Sequence, residues 1–382
     1  MRLGIAALLV AAAAVATGVG AAPSKAATSP GLGVVPGYEA EQPAYAWEGS
    51  WQEHTVTWKS SATGAELSGV VFAPNPLPVA PVPGVVIVPG SGPGVQSFYQ
   101  WAARDLAGHG YEALTVDPQG VGQSGTFGDP PCSAGTPAGT PAAHQETMCP
   151  GVPFQQDENY VDAAGSGIDF LVSGANPYQP QLDPAAIGLA GHSLGARAVS
   201  WLQGADARVK AVAAWDNLAS DLNGDAGSPS GGPPASEIVG GGLPGTPAQP
   251  VTPRVPALGE ASDSQGVQTT NGPEIKKTAY DVWQRAGVPS MEVVFAGAQH
   301  LDWAQTRLNS ASNEASLFRF EFYTRAWFDL FLRNDQSAVA RLTASDVDAT
   351  PRRQVMSSKF RSALFLPQQG IECPDLAGTT CP

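Results

Sequence analysis

The chain has 382 residues, of which 43% are apolar and 14% charged, with 44 Gly and 35 Pro. That balance excludes a disordered polymer and describes a globular fold with many ordered turns and irregular loops. A net charge of −14 repels phosphate backbones and anionic lipid, so nucleic acid is excluded as a partner and an uncharged substrate is favoured.

Residues 1–27 open with Met1-Arg2, continue as an apolar Ala-rich run from Leu3 to Val19, and end in small residues. This pattern predicts a cleaved secretory signal, hence an extracellular protein with no membrane anchor after processing. Residues 28–46 read as a lead-in arm, and residues 47–335 as one catalytic-sized domain. Residues 336–382 read as a C-terminal extension. The four cysteines, Cys132, Cys149, Cys373 and Cys381, allow three pairings in an oxidising compartment. The local one, Cys132–Cys149 with Cys373–Cys381, is preferred because it closes two short loops. Their spacing contains no CxxC pair or nearby His cluster, so neither a metal nor another cofactor is expected.

Trp51–Trp58 and Leu67–Ala73 flank a turn and predict an opening hairpin. Val85–Val88 is a short apolar run typical of a strand buried on both faces. A helix over 97–108 and a strand over 111–116 follow. Helices are then expected at 158–171, 196–203, 274–285 and 317–332, and strands at 187–190, 209–214, 255–258 and 291–295. This alternation predicts an α/β protein with a mainly parallel central sheet and helices on both faces. Residues 126–155 and 219–253 interrupt it as Pro/Gly-rich loops, placed where a site would be rimmed.

Gly191-His192-Ser193-Leu194-Gly195 lies between a predicted strand and a predicted helix. In that setting GxSxG places a serine on a sharp turn, with its hydroxyl exposed and a helix N-terminus behind it. Ser193 is therefore the candidate nucleophile. Of five histidines, His300 follows a predicted strand end after Gly297-Ala298-Gln299, and is the candidate base. His192 adjoins the serine and is expected to pack or support.

Asp263, in Gly259-Glu260-Ala261-Ser262-Asp263, is the expected orienting carboxylate. Asp216 is the alternative, with Glu260 and Asp302 as weaker rivals. The oxyanion donors are expected to be the N–H of Leu194 and that of Ser91. Gly92 is the next choice and is expected to border the substrate. Gly120-Val121-Gly122-Gln123-Ser124-Gly125 matches GxGxxG, but Pro130-Pro131-Cys132 follows instead of a helix and a second strand, so it is not read as a nucleotide site.

The ordered set Val85–Gly94, Leu106–Gly125, Gly191–Gly195, Val255–Asp263 and Met291–His300 resembles the α/β-hydrolase superfamily, over about residues 50–335. The stretch Leu106-Ala107-Gly108-His109-Gly110-Tyr111 leading into Asp117-Pro118-Gln119-Gly120 is typical of it. Val209–Asp216 further resembles secreted cutinase-like, polyester-hydrolysing enzymes. That likeness implies a substrate-binding role for Trp215 and favours Asp263 over Asp216. The chain departs from that group in carrying Ser91 where an aromatic residue is usual, and in both loop insertions. Together the resemblance implies a secreted, monomeric carboxylic-ester hydrolase of the esterase or lipase type, acting on a small or polymeric ester. A peptidase or amidase on the same scaffold and a non-catalytic binding protein are the alternatives.

Overall fold

The computed structural model describes residues 50–62, 64–90, 95–125, 157–216, 218–220, 251–263, 273–295, 297–305, 310–343 and 361–376. The expected signal, the arm and the cores of both loop insertions lie outside these residues.

Ten strands form one sheet: β1 (Ser50–Lys59), β2 (Glu66–Asn75), β3 (Val82–Val88), β4 (Glu112–Asp117), β5 (Leu182–His192), β6 (Val209–Trp215), β7 (Ala257–Ser262), β8 (Ser290–Phe295), β9 (Arg361–Leu366) and β10 (Ile371–Cys373). Their order is β1-β2-β4-β3-β5-β6-β7-β8-β9-β10. From β4 to β8 every neighbouring pair is parallel, whereas β1, β2, β9 and β10 extend the two sides antiparallel. The protein is thus an α/β fold around a mostly parallel sheet. Residues 361–373, expected to lie in an extension, instead lengthen this sheet beside β8. The short helix Ala338–Leu342 precedes them.

The helices are α1 (Gln100–Gly108), α2 (Asp157–Leu171), α3 (Leu194–Ala205), α4 (Pro273–Arg285) and α5 (Ser310–Leu332), with Ala338–Leu342 as α6. Burial on both faces explains the unbroken apolar strands. Val85, Ile87, Ala190 and Ala213 point into one core, shared with Trp101 of α1 and Phe320, Trp327 and Phe328 of α5. Their alternates Val86, Val88, Leu189 and Val212 point into the other core, with Ala163 of α2, Val199 of α3 and Trp283 of α4. Alternate strand residues face opposite sides, so one sheet seeds two cores.

The chain leaves β3 for β4 on one side and resumes at β5 on the other. A crevice opens at such a reversal, beyond the carboxyl ends of the strands. Here the reversal falls between β3 and β5, where Val88 is in register with Gly191.

Candidate active site

Ser193 stands between β5 and α3 with φ 53° and ψ −114°. A non-glycine residue there is strained, and the neighbours show what holds it. A Cβ on Gly191 would lie 2.5 Å from the carbonyl oxygen of Gly195. One on Gly195 would press into the carbonyl oxygens of Val88 and Pro89. Both glycines of the motif are therefore demanded by backbone packing across the turn. The Ser193 N–H donates to the Trp215 carbonyl at 2.9 Å, tying the turn to β6.

Three residues distant in sequence converge here. His300 Nε2 lies 2.9 Å from Ser193 Oγ, and His300 Nδ1 lies 2.5 Å from Asp216 Oδ2. A carboxylate facing Nδ1 holds the proton there and leaves the Nε2 lone pair to accept the serine hydroxyl. Asp216 is 1% exposed. Its Oδ1 accepts the Ser262 N–H at 2.7 Å and the Ser262 Oγ–H at 2.9 Å. Asp216 has φ 51°, which turns its side chain out of line with β6 immediately after Trp215.

The carboxylate at His300 is thus the sequence's second choice. Asp263, the first choice, accepts the Gly297 N–H at 2.9 Å and so anchors the loop that carries His300. The reason is position across the sheet. His192 pairs with Trp215, so Asp216 continues beside Ser193, whereas Asp263 follows β7, one strand farther away. The other rivals are also engaged elsewhere. Asp302 Oδ2 accepts the Gln299 N–H at 2.9 Å and caps the short 3-10 turn His300–Trp303. Burial raises its carboxyl above the ordinary value.

Glu260 is fully buried and accepts from Trp303 Nε1 at 3.0 Å and from the Thr324 hydroxyl at 2.9 Å. Burial pushes its carboxyl up to about 8 despite those donors.

Trp215 does not line a cleft. It is fully buried, donates Nε1–H to the Thr324 hydroxyl at 2.9 Å, and packs 5.2 Å from the Trp101 ring. Its place on β6 directs it beneath α5 and α1, which removes the substrate-binding role expected from the resemblance. Trp303 is likewise buried, with its ring 4.1 Å from that of Phe320, and its carbonyl accepts Trp101 Nε1–H at 2.9 Å. Phe98 is half-buried.

Leu194 opens α3, so its N–H belongs to the first turn, where helix donors have no intrahelical partner and face developing negative charge. Ser91 and Gly92 lie outside the described residues. The segment before them ends at Gly90, whose N–H donates to the Tyr99 hydroxyl at 3.1 Å. After them, the Gln96 N–H donates to Asp117 Oδ1 at 2.7 Å.

The GxGxxG stretch wraps that same aspartate. Asp117 Oδ2 accepts the Gln123 N–H at 3.0 Å, and Gly122, at φ 56°, lies so close that a Cβ would overlap the carboxylate. The glycines thus close a turn on a buried carboxylate. Cys373 is disulfide-bonded and 1% exposed. The other three cysteines lie outside the described residues, and with them the expected pairing. Among the described residues no helix is long and apolar enough to cross a membrane, and no three His, Cys, Asp or Glu side chains group as metal ligands.

The arrangement can pass a proton from Ser193 Oγ to His300 Nε2 and hold the resulting imidazolium against Asp216. No protein-family model and no curated protein matches this chain.

Proposed function

We propose that the protein is a secreted serine hydrolase of the α/β-hydrolase type, acting on carboxylic esters through an acyl-enzyme. The observation that carries the reading is the pair of contacts at His300, to Ser193 Oγ at 2.9 Å and to Asp216 at 2.5 Å. The strained serine at the strand-to-helix turn and its place at the sheet's reversal support it. Export rests on the apolar leader of residues 1–27.

In this reading Ser193 Oγ attacks the ester carbonyl as its proton moves to His300 Nε2. The carbonyl π pair goes to oxygen, where the Leu194 N–H and a donor from the loop after β3, Ser91 by expectation, receive the negative charge. The tetrahedral carbon then expels the alkoxide, which takes the proton from His300 and leaves an acyl-serine. Water repeats the sequence: His300 removes its proton, and the acid and free serine are released. Asp216 keeps Nδ1 protonated throughout and stabilises the imidazolium.

The test is labelling of the secreted protein with a fluorophosphonate, followed by rates on p-nitrophenyl esters of increasing acyl length and on aminoacyl p-nitroanilides. Stoichiometric labelling of Ser193, lost in Ser193→Ala, with ester turnover exceeding amide turnover supports the proposal. Faster amide cleavage would make it a peptidase or amidase. Ester turnover retained by Ser193→Ala would refute the nucleophile.

A further inference from the structure

His192 precedes the nucleophile, yet its side chain points away from Ser193 into the protein and is 1% exposed. Its Nε2 lies 2.7 Å from the main-chain carbonyl oxygen of His300. Its Nδ1 lies 2.8 Å from the Tyr99 hydroxyl. A carbonyl oxygen only accepts, so Nε2 must carry a hydrogen.

The other nitrogen is decided by Tyr99. That hydroxyl already receives the Gly90 N–H at 3.1 Å. If Nδ1 carried a second hydrogen, the phenolic oxygen would accept from both neighbours and its own O–H would have no acceptor among the described residues. With Nδ1 bare, each group is used in turn. Gly90 N–H donates to Tyr99, Tyr99 O–H donates to His192 Nδ1, and His192 Nε2–H donates to His300. Burial favours the same uncharged form. The imidazole also lies tilted beside the His300 ring, at 4.7 Å between centroids, where a second cation would oppose the imidazolium formed during catalysis.

We propose that His192, as the neutral Nε2–H tautomer, is a positioning residue that fixes the main chain of His300 and couples it through Tyr99 to Gly90, at the start of the loop after β3. The inference rests on the serine-hydrolase reading and adds to it. The main chain of His300 and that of Gly90 are then joined by one continuous hydrogen-bonded chain. Gly90 bears a separate mark of this role: a Cβ there would lie 2.6 Å from His192 Nδ1 and 3.1 Å from the Tyr99 hydroxyl. The packing of the pair thus requires glycine at position 90.

Two substitutions separate the halves of the contact. In His192→Gln the terminal amide reaches where Nε2 stood and can donate to the His300 carbonyl. In His192→Asn the shorter amide reaches only the Nδ1 position and can meet Tyr99 but not His300. Misplacing a catalytic group by about 1 Å costs on the order of a hundredfold. We expect His192→Asn to lower kcat on a p-nitrophenyl ester about ten- to a hundredfold, with KM within about twofold. His192→Gln should recover kcat to within about fivefold of wild type. Thermal midpoints of both variants register any general loss of folding.

A nitrogen-15 spectrum of the wild-type imidazoles, read with Ser193→Ala as a control, should show His192 protonated at Nε2 and bare at Nδ1. Equal kcat in the two variants, or a His192 found protonated at Nδ1, would overturn the proposal while leaving the hydrolase reading intact. Failure of the wild type to label with fluorophosphonate would overturn both.

Discussion

Asp216 and Ser262 sit at the ends of adjacent parallel strands, and the serine gives the aspartate both its N–H and its hydroxyl, at 2.7 and 2.9 Å. A carboxylate 1% exposed is thereby solvated by the protein itself while Oδ2 meets His300. This pairing makes a buried negative charge sustainable one strand from the serine.

Asp216→Asn should leave the fold intact but present an amide to His300 Nδ1 and disturb its tautomer. Loss of kcat by roughly 10³- to 10⁴-fold is expected, by analogy with triads in which this substitution fixes the wrong tautomer. Asp263→Asn keeps an acceptor for the Gly297 N–H and should change kcat by less than about tenfold. Steady-state ester hydrolysis checks both, and a larger fall for Asp263→Asn would return it to the triad.

Ser262→Ala removes the hydroxyl from Asp216 and keeps the main-chain N–H. The lost bond to a charged acceptor corresponds to about 1.5–3 kcal/mol. Part should appear as weaker stability in urea and part as slower turnover, because the freed carboxylate holds His300 less firmly. Unchanged kcat and unchanged unfolding midpoint together would show that Ser262 does not support Asp216.

Trp215→Phe should act on folding and not on substrate. The indole is fully buried and its N–H is satisfied by Thr324, so the substitution removes volume and takes one donor from a hydroxyl that still donates to Glu260. A loss of about 1–3 kcal/mol is expected in urea unfolding, with KM for a p-nitrophenyl ester within about twofold. A KM rise without a change in stability would restore a cleft role to this residue.

Glu112 is fully buried, and its Oε1 accepts Asn176 Nδ2 at 2.5 Å. Burial raises its carboxyl to about 7 from an ordinary value of 4.5. A raised folded-state value means the folded protein binds more protons than the unfolded chain between those limits. Stability therefore falls as pH rises from 4.5 to about 7, by up to about 1.4 kcal/mol per pH unit. Glu112→Gln, which imitates the neutral form, should flatten that slope and raise the unfolding midpoint at pH 8 relative to wild type. Urea titrations at pH 5 and pH 8 measure it, and an unaltered slope would show that Glu112 does not titrate in this window.

Much of the fold was legible because its signals are local. The apolar run Val85–Val88 needs two covered faces, and β3 has them; the structure lengthens it to Val82–Val88. The helix expected at 317–332 begins earlier, at Ser310, and the strand expected at 187–190 runs from Leu182 to His192. Residues 361–373 gave little signal because an added antiparallel strand is specified by the strand it joins, β8 for β9 and β9 for β10.

Ser193 could be chosen from sequence because it follows a strand between two glycines that a tight turn explains, and His300 because it follows a later strand through Gly297-Ala298-Gln299. Residue order alone could also say that some carboxylate between them would face the imidazole. Which one it is depended on sheet register and on a positive φ at Asp216, and neither is written in a window of neighbouring residues. The burial of Trp215 was decided by α5 lying over that face of β6, since a strand covered on both sides carries no alternation to tell cleft from core. The contacts of His192 were decided by Tyr99 and the His300 carbonyl arriving from distant segments. Local pattern therefore determined the turns and the placing of Ser193 and His300 after strand ends, whereas hydrogen-bond partners became determinate only when the sheet brought its strand ends together.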